Sequence, residues 1–214
     1  MGKYKKGVLG NFRGKVGTVV GSSWNGLFYM KSLPDFGDYV PTTAQLNVRL
    51  RMSLVTKFLA DIKSLVSIGW LSKEKRGLTA MNAATSYHLK NAITGVAPAY
   101  LMDYPDVKFS EGELEGAEDP EVASAAGHEV EFSWAPNTGM EYGLATDKAV
   151  LLVYCPDMDK FVSYRQVARS AGEYVMTLPA SFVGSQAHCW IAFFSADGKL
   201  ASDSSYVGMV SVVA

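Results

Sequence analysis

The 214-residue chain, with 48% hydrophobic and 19% charged residues, is long enough to bury a core without metal or disulfide staples and too apolar to be disordered throughout. Two cysteines exclude a disulfide scaffold, and no apolar run approaches the ~18 residues of a membrane helix. The net charge of -1 hides an asymmetry: residues 1–100 hold fourteen Lys/Arg against four Asp/Glu, a net of +10, and residues 101–214 hold six against seventeen, a net of -11.

That contrast predicts two domains, a basic one over 1–98 and an acidic one over 99–214. The first fifteen residues carry Lys3, Lys5, Lys6, Arg13 and Lys15 and no acid. They lack the apolar centre of a secretory signal, because Val8-Leu9 is flanked by Gly7 and Gly10. Gly2 is followed by Lys6 where a myristoylation motif needs Ser or Thr. The expectation is a chain that is cytoplasmic as synthesised, without a signal peptide, and that could still leave as part of a released particle.

Glycines 7, 10, 14, 17, 21 and 26 punctuate the next stretch, between β-branched and aromatic residues. Strands are expected near 15–23 and 27–32, joined at Asn25-Gly26, two residues that tolerate positive φ. Glycine this dense weakens a strand unless another backbone approaches it, so the arm reads as built to be covered. Pro34 and Pro41 then bracket a loop with Asp35, Gly37 and Asp38. Leu46, Leu50, Leu54, Phe58 and Ile62 recur every fourth residue, which predicts an amphipathic helix over roughly 43–67. A second helix is expected at about 79–93, with Met81, Ala84 and Tyr87 or His88 on one side, stopped by Gly95 and Pro98.

Beyond Tyr104 the period falls to two. Strands are expected at 106–110, 128–134, 148–155, 161–168, 173–178, 187–195 and 205–213, and this spacing points to a β-sandwich. Val130-Glu131-Phe132-Ser133-Trp134-Ala135-Pro136 resembles the second strand of fibronectin type III domains, whose Trp fills the core. Leu178-Pro179, the strand from Cys189 to Ser195, and Asp197-Gly198 with Ser202 resemble the end of that family's E strand through F and G. His188 stands near where the family places a corner tyrosine, a departure. The resemblance implies a buried Trp134, and Cys155 and Cys189 at the same end of one sheet. The whole chain also resembles an uncharacterised Bacteroidota family of proteins of about this length, through Gly14-Lys15-Val16-Gly17-Thr18-Val19-Val20-Gly21, Trp24, Gly26, Gln45 and Arg49. That resemblance implies an architecture and no activity.

Catalytic chemistry finds little support. Gly10-Asn11-Phe12-Arg13-Gly14-Lys15-Val16 has three residues between its glycines where a phosphate loop needs four, and Val16 where it needs Ser or Thr. His88, His128 and His188 stand far apart with no ligand-spaced partners. The acidic run Glu111, Glu113, Glu115, Glu118 and Asp119 lacks the calcium-loop pattern and reads as a solvated linker or sheet edge. No nucleophile elbow appears. A spatial Ser/His/Asp or Cys/His arrangement stays open, with nothing to favour one.

The expectation is therefore a mainly β chain with a helical insert: an N-terminal glycine-rich β hairpin, a short helical unit and a C-terminal Ig-like, fibronectin type III-like sandwich. Its expected role is a non-enzymatic structural or interaction protein in a larger assembly, phage-derived or cell-surface, with no catalytic residue, cofactor or metal. Its expected partner is itself or another protein, by head-to-tail charge complementarity. The alternative is nucleic-acid binding by the basic half with Tyr4, Phe12 and Trp24.

Overall fold

A computed structural model describes residues 3–4, 10–34, 37–38, 40–75, 77–139 and 142–214. Lys5, Lys6, Gly7, Asp35 and Arg76, and the side chains of Lys3 and Tyr4, lie outside the described residues. The chain begins as an antiparallel meander of β1 (Lys3–Tyr4), β2 (Phe12–Val16), β3 (Val19–Trp24) and β4 (Leu27–Ser32), paired in that order. The single strand expected at 15–23 is instead two, because Gly17 takes φ 59° and turns the chain between Val16 and Val19. Asn25 and Gly26 take φ 43° and 76°, the paired left-handed conformation of a tight two-residue hairpin turn.

Helix α1 (Thr43–Asp61) opens on a reciprocal cap: the Gln45 amide N–H donates to Thr42 Oγ1, and the Thr42 N–H donates to the Gln45 side chain. The helix expected to continue to 67 breaks at Ile62 (φ -105°, ψ 20°) and resumes as α2 (Lys63–Gly69). No helix-breaking residue stands there; the break turns Leu65 and Val66 into the core, so packing overrides local propensity. Helix α3 (Ala80–Asn91) is capped by the Thr79 hydroxyl. Gly95 and Pro98 do more than stop it: they lie in a hairpin of β5 (Ile93–Val96) and β6 (Ala99–Met102). The boundary expected between residues 98 and 99 falls in that hairpin's turn.

The sandwich follows as β7 (Glu118–Ala125), β8 (Glu129–Ala135), β9 (Lys148–Cys155), β10 (Lys160–Ala168), β11 (Glu173–Thr177), β12 (Gln186–Phe194) and β13 (Ser205–Ser211). A three-stranded sheet, β11-β8-β7, faces a four-stranded one, β10-β9-β12-β13, with antiparallel pairing throughout. In fibronectin lettering these are E-B-A and C′-C-F-G. No strand forms at 106–110, which hydrogen-bonds to the helical unit and to the segment after β12; the first strand of the sandwich is the acidic stretch 118–125.

Alternation on β9 and β12 assigns side chains to two cores. Ala149, Leu151, Val153, Cys155, Cys189, Ile191 and Phe193 face the other sheet with Phe132 and Trp134. Val150, Leu152, Tyr154, Trp190, Ala192 and Phe194 face the opposite way, against Val55, Phe58, Leu59, Leu65, Val66 and Trp70 of the helical unit. The molecule thus has three layers: helices, four-stranded sheet, three-stranded sheet. Cys155 and Cys189 share a face at one end of the sheet, free and buried, Cys189 opposite Val153.

Residues 107–117 stitch the helices to the sandwich. The Glu111 N–H donates to Gly69 O and the Leu114 N–H to Ala201 O, both near 3 Å. These approaches demand glycine: a Cβ on Gly69 would stand 2.5 Å from Ser110 Cβ, and one on Gly112 would stand 2.1 Å from Ala201 O. His88, fully buried, holds the same seam. Its Nδ1–H donates to Ala84 O (2.7 Å) and its Nε2 accepts from the Lys108 N–H (3.3 Å). Acceptance at Nε2 requires the neutral ring, and burial pushes its pKa below the ordinary range, against the Ala84 bond that favours the charged form.

At the other end of the sandwich Arg169 is wholly buried. It lies 3.4 Å from Asp147, donates to Asn137 Oδ1 and Glu115 O (2.8 Å each) and stacks 3.8 Å over the Phe193 ring. Trp134 Nε1–H donates to the Arg169 carbonyl (2.8 Å). The guanidinium thereby ties the linker to two loops, and the backbone carbonyl of the same residue holds the core tryptophan.

Candidate interaction surface

Among the described residues, most side chains on both faces of the arm's sheet are exposed or half-buried. Its registers place Lys15, Val20 and Lys31 in one cross-strand row, with Ser22 opposite Tyr29 and Trp24 opposite Leu27 on the same side. The other side carries Val16, Val19, Gly14, Gly21, Met30 and Phe28. Every residue of β4 is exposed; Phe28 is 57% and Met30 70% accessible. Such a cluster of large apolar side chains in water is uncommon in a self-sufficient surface and marks an interaction site. The arm's described link to the body lies at its tip, where Asn25 donates to Lys75 O (3.0 Å) and Leu27 lies against Gly77.

Helix α1 repeats the pattern. Its fourth-residue stripe is covered from Leu54 onward, with Phe58 and Ile62 in the core, but Leu46 and Leu50 lie in water beside Val48 and Met52. The amphipathic stripe outruns its cover by two turns.

Opposite in charge is the outer face of β11-β8-β7. Its rows are Glu121, Ser133, Glu173; then Ala123, Glu131, Val175; then Ala125, Glu129, Thr177. Glu121, Glu131 and Glu173 are exposed, and among the described residues no cation pairs with them. Elsewhere the two halves do neutralise each other, through Lys57 with Asp159 and Lys73 with Glu111 (2.9 Å).

Other residues weighed for chemistry are dispersed. His128 sits in the turn after β7, and His188 holds the Tyr206 hydroxyl (2.9 Å) on the helix-facing side of β12. Burial raises the Cys189 thiol pKa to about 12, which leaves it protonated and inert. Residues 12–16 of the glycine-lysine segment form β2, a strand where a phosphate loop would precede a helix. The acidic run divides: Glu111 is held by Lys73, Leu114 is buried, and Glu118 opens β7. Among the described residues no cluster of His, Cys, Asp and Glu could hold a metal ion, and no helix is long and apolar enough to cross a membrane. A groove beside α3 is lined by Trp70, Lys73, Lys90 and Glu111, whose carboxylate is already committed to Lys73. The uncovered α1 turns and Arg169 gave no local signal in the sequence, and the acidic strand gave an ambiguous one, linker or sheet edge; the basic and acidic halves were plain.

A family model described as "Family of unknown function (DUF6266)" matches residues 11–208. Comparison with curated proteins gives no match. Among solved structures, a family 76 glycoside hydrolase from a bovine Bacteroides thetaiotaomicron strain aligns at a TM-score of 0.38 and 11% identity, covering 47% of this chain and 21% of that one. The chicken CNTN1 FN1-FN3 domains align at 0.39 and 13%, covering 54% and 37%. This chain thus spans well under two thirds of either structure.

Proposed function

We propose, from the premise that the chain belongs to the DUF6266 family of unknown function, that it is a non-enzymatic structural or interaction protein, a component of a larger assembly. One observation carries the reading: the arm leaves both faces of a sheet in water, with Phe28 and Met30 more than half exposed. A short sheet whose described contacts with the body lie at its tip is marginal alone, so the arm reaches its stable state against a partner. The basic arm and the unpaired carboxylates of the three-stranded sheet supply charge of both signs for that contact. The sandwich acts as the rigid body that carries these surfaces.

The test is residue-resolved cross-linking of the full chain in cells of its native host. The reading expects cross-links from residues 12–33 to protein. Cross-links from the arm to nucleic acid would move the function to the nucleic-acid-binding alternative. An arm that cross-links to nothing, beside a turnover activity mapped to the body, would overturn the interaction role.

A further inference from the structure

The charge pattern of the arm identifies its occupant, on the premise that the arm is an interaction element. The row Lys15–Val20–Lys31 sets two cations on the outer strands of a three-strand ribbon with a small neutral residue between. The row Glu121–Ser133–Glu173 sets two carboxylates on the outer strands of another, again with a small neutral residue between. Two strand spacings separate the like charges in each case, about 10 Å. Stacked face to face, one row meets the other charge for charge. In the next two rows Tyr29 stands over Ala123 or Val175 and Leu27 over Ala125 or Thr177, large side chains over smaller ones, while Ser22 and Trp24 of the middle strand stand over Glu131 and Glu129.

We propose that this face of the arm docks on the outer face of the β11-β8-β7 sheet of a second copy of the chain, head to tail. The arm cannot reach its own copy of that face. Its tip is tied to the helical side at Lys75 and Gly77, and the four-stranded and three-stranded sheets lie between, each layer adding about 10 Å. Nor does arm meet arm: Arg13, Lys15 and Lys31 oppose like charges there, and no acid stands among the described residues 10–34. A contact that joins two different surfaces leaves both free at the ends of every oligomer, so copies add until a ring closes or a filament runs on. The ribbon's footprint, about 14 by 20 Å, falls below the ~800 Å² per partner of a stable complex. Each contact is weak, and the assembly forms at high concentration or in a multivalent particle.

The test is sedimentation velocity of the full chain, nuclease-treated, at low and high salt. Two charge-reversed chains accompany the wild type: Lys15→Glu with Lys31→Glu, and Glu121→Lys with Glu173→Lys. The wild type is expected to associate at low salt and dissociate as screening shortens to ~3 Å near 1 M. Each reversed chain opposes like charges and is expected to associate about a hundredfold more weakly. Mixing the two restores association, since the acidic arm of one fits the basic face of the other; restoration also shows that both are folded. A wild type monomeric at millimolar concentration and low salt would overturn the second copy as occupant while leaving the interaction role to the cross-linking result. Association that ignores both reversals, or that disappears with nuclease, would overturn the docking face.

Discussion

The arm and the four-stranded sheet of the sandwich are both antiparallel ladders, yet they stand at opposite ends of the range a sheet can occupy. In the sandwich, β9 is buried along nearly its whole length, because the helices cover one face and the three-stranded sheet the other. In the arm, β4 is exposed along its whole length. Strand pairing alone does not distinguish them. What differs is the cover: the chain itself supplies it for β9, and for β4 the proposed docking assigns it to a second copy. Stability and association should therefore separate by region.

The sharpest break in that comparison comes from Arg169. Replacing it with Ala leaves Asp147 buried without its cation and removes the hydrogen bonds to Asn137, Glu115 and Gly116 and the contact with Phe193, so a loss of about 3–5 kcal/mol is expected in urea denaturation. The double change Arg169→Met with Asp147→Leu should recover much of it; a single variant as stable as wild type would show that the pair does not hold the sandwich. Trp190→Ala empties a site with no solvent exposure between sheet and helices, and is expected to lose about 3–5 kcal/mol. If the two layers unfold separately, this variant will split the transition in two.

A smaller effect links the seam to pH. Burial lowers the folded-state pKa of His88, so the folded chain binds fewer protons at this site than the unfolded chain does. Its contribution is complete above the unfolded value near 6.5 and is lost as pH falls through the depressed folded value. Stability should decline with acid below about pH 6.5, and His88→Gln, which keeps a donor and an acceptor, should flatten that part of the profile. The smallest expected change lies in the arm: Phe28→Ser and Met30→Ser should shift monomer stability by no more than ~0.5 kcal/mol. A loss of several kcal/mol there would mean the arm is covered within its own chain.

The sandwich was legible because its strands are short and bounded by turn residues, with Ala149 to Cys155 and Cys189 to Phe194 as apolar runs. The unbroken apolarity of those runs also held the clue to a third layer, since a strand wetted on one face alternates. β7 was hidden because Glu118-Asp119-Pro120-Glu121 carries the signs of an edge strand, charge and proline, which are equally the signs of a linker. The Ile62 break and the Arg169–Asp147 pair depend on packing between segments remote in sequence, and no local residue marks them. For the candidate surface, the division of charge was plain. The uncovered turns of α1 were not: Leu46 and Leu50 have the same spacing as Leu54 and Phe58, and only the body's extent separates wet leucines from dry ones.

The position of β9 bears on how opening motions would register. It has neighbours on both edges, β10 and β12, and a packed layer on each face. Its amides from Val150 to Val153 are divided between β10 and β12, and those bonded to β12 have no route through fraying of the edge strand: deuterium enters them when the helices, β12 and the opposing sheet let go. Local opening sets exchange at most sites in a protein, whereas in this strand the slow clock reads the cooperativity of the whole body. Protection at those amides would report whether helices and sandwich come apart together.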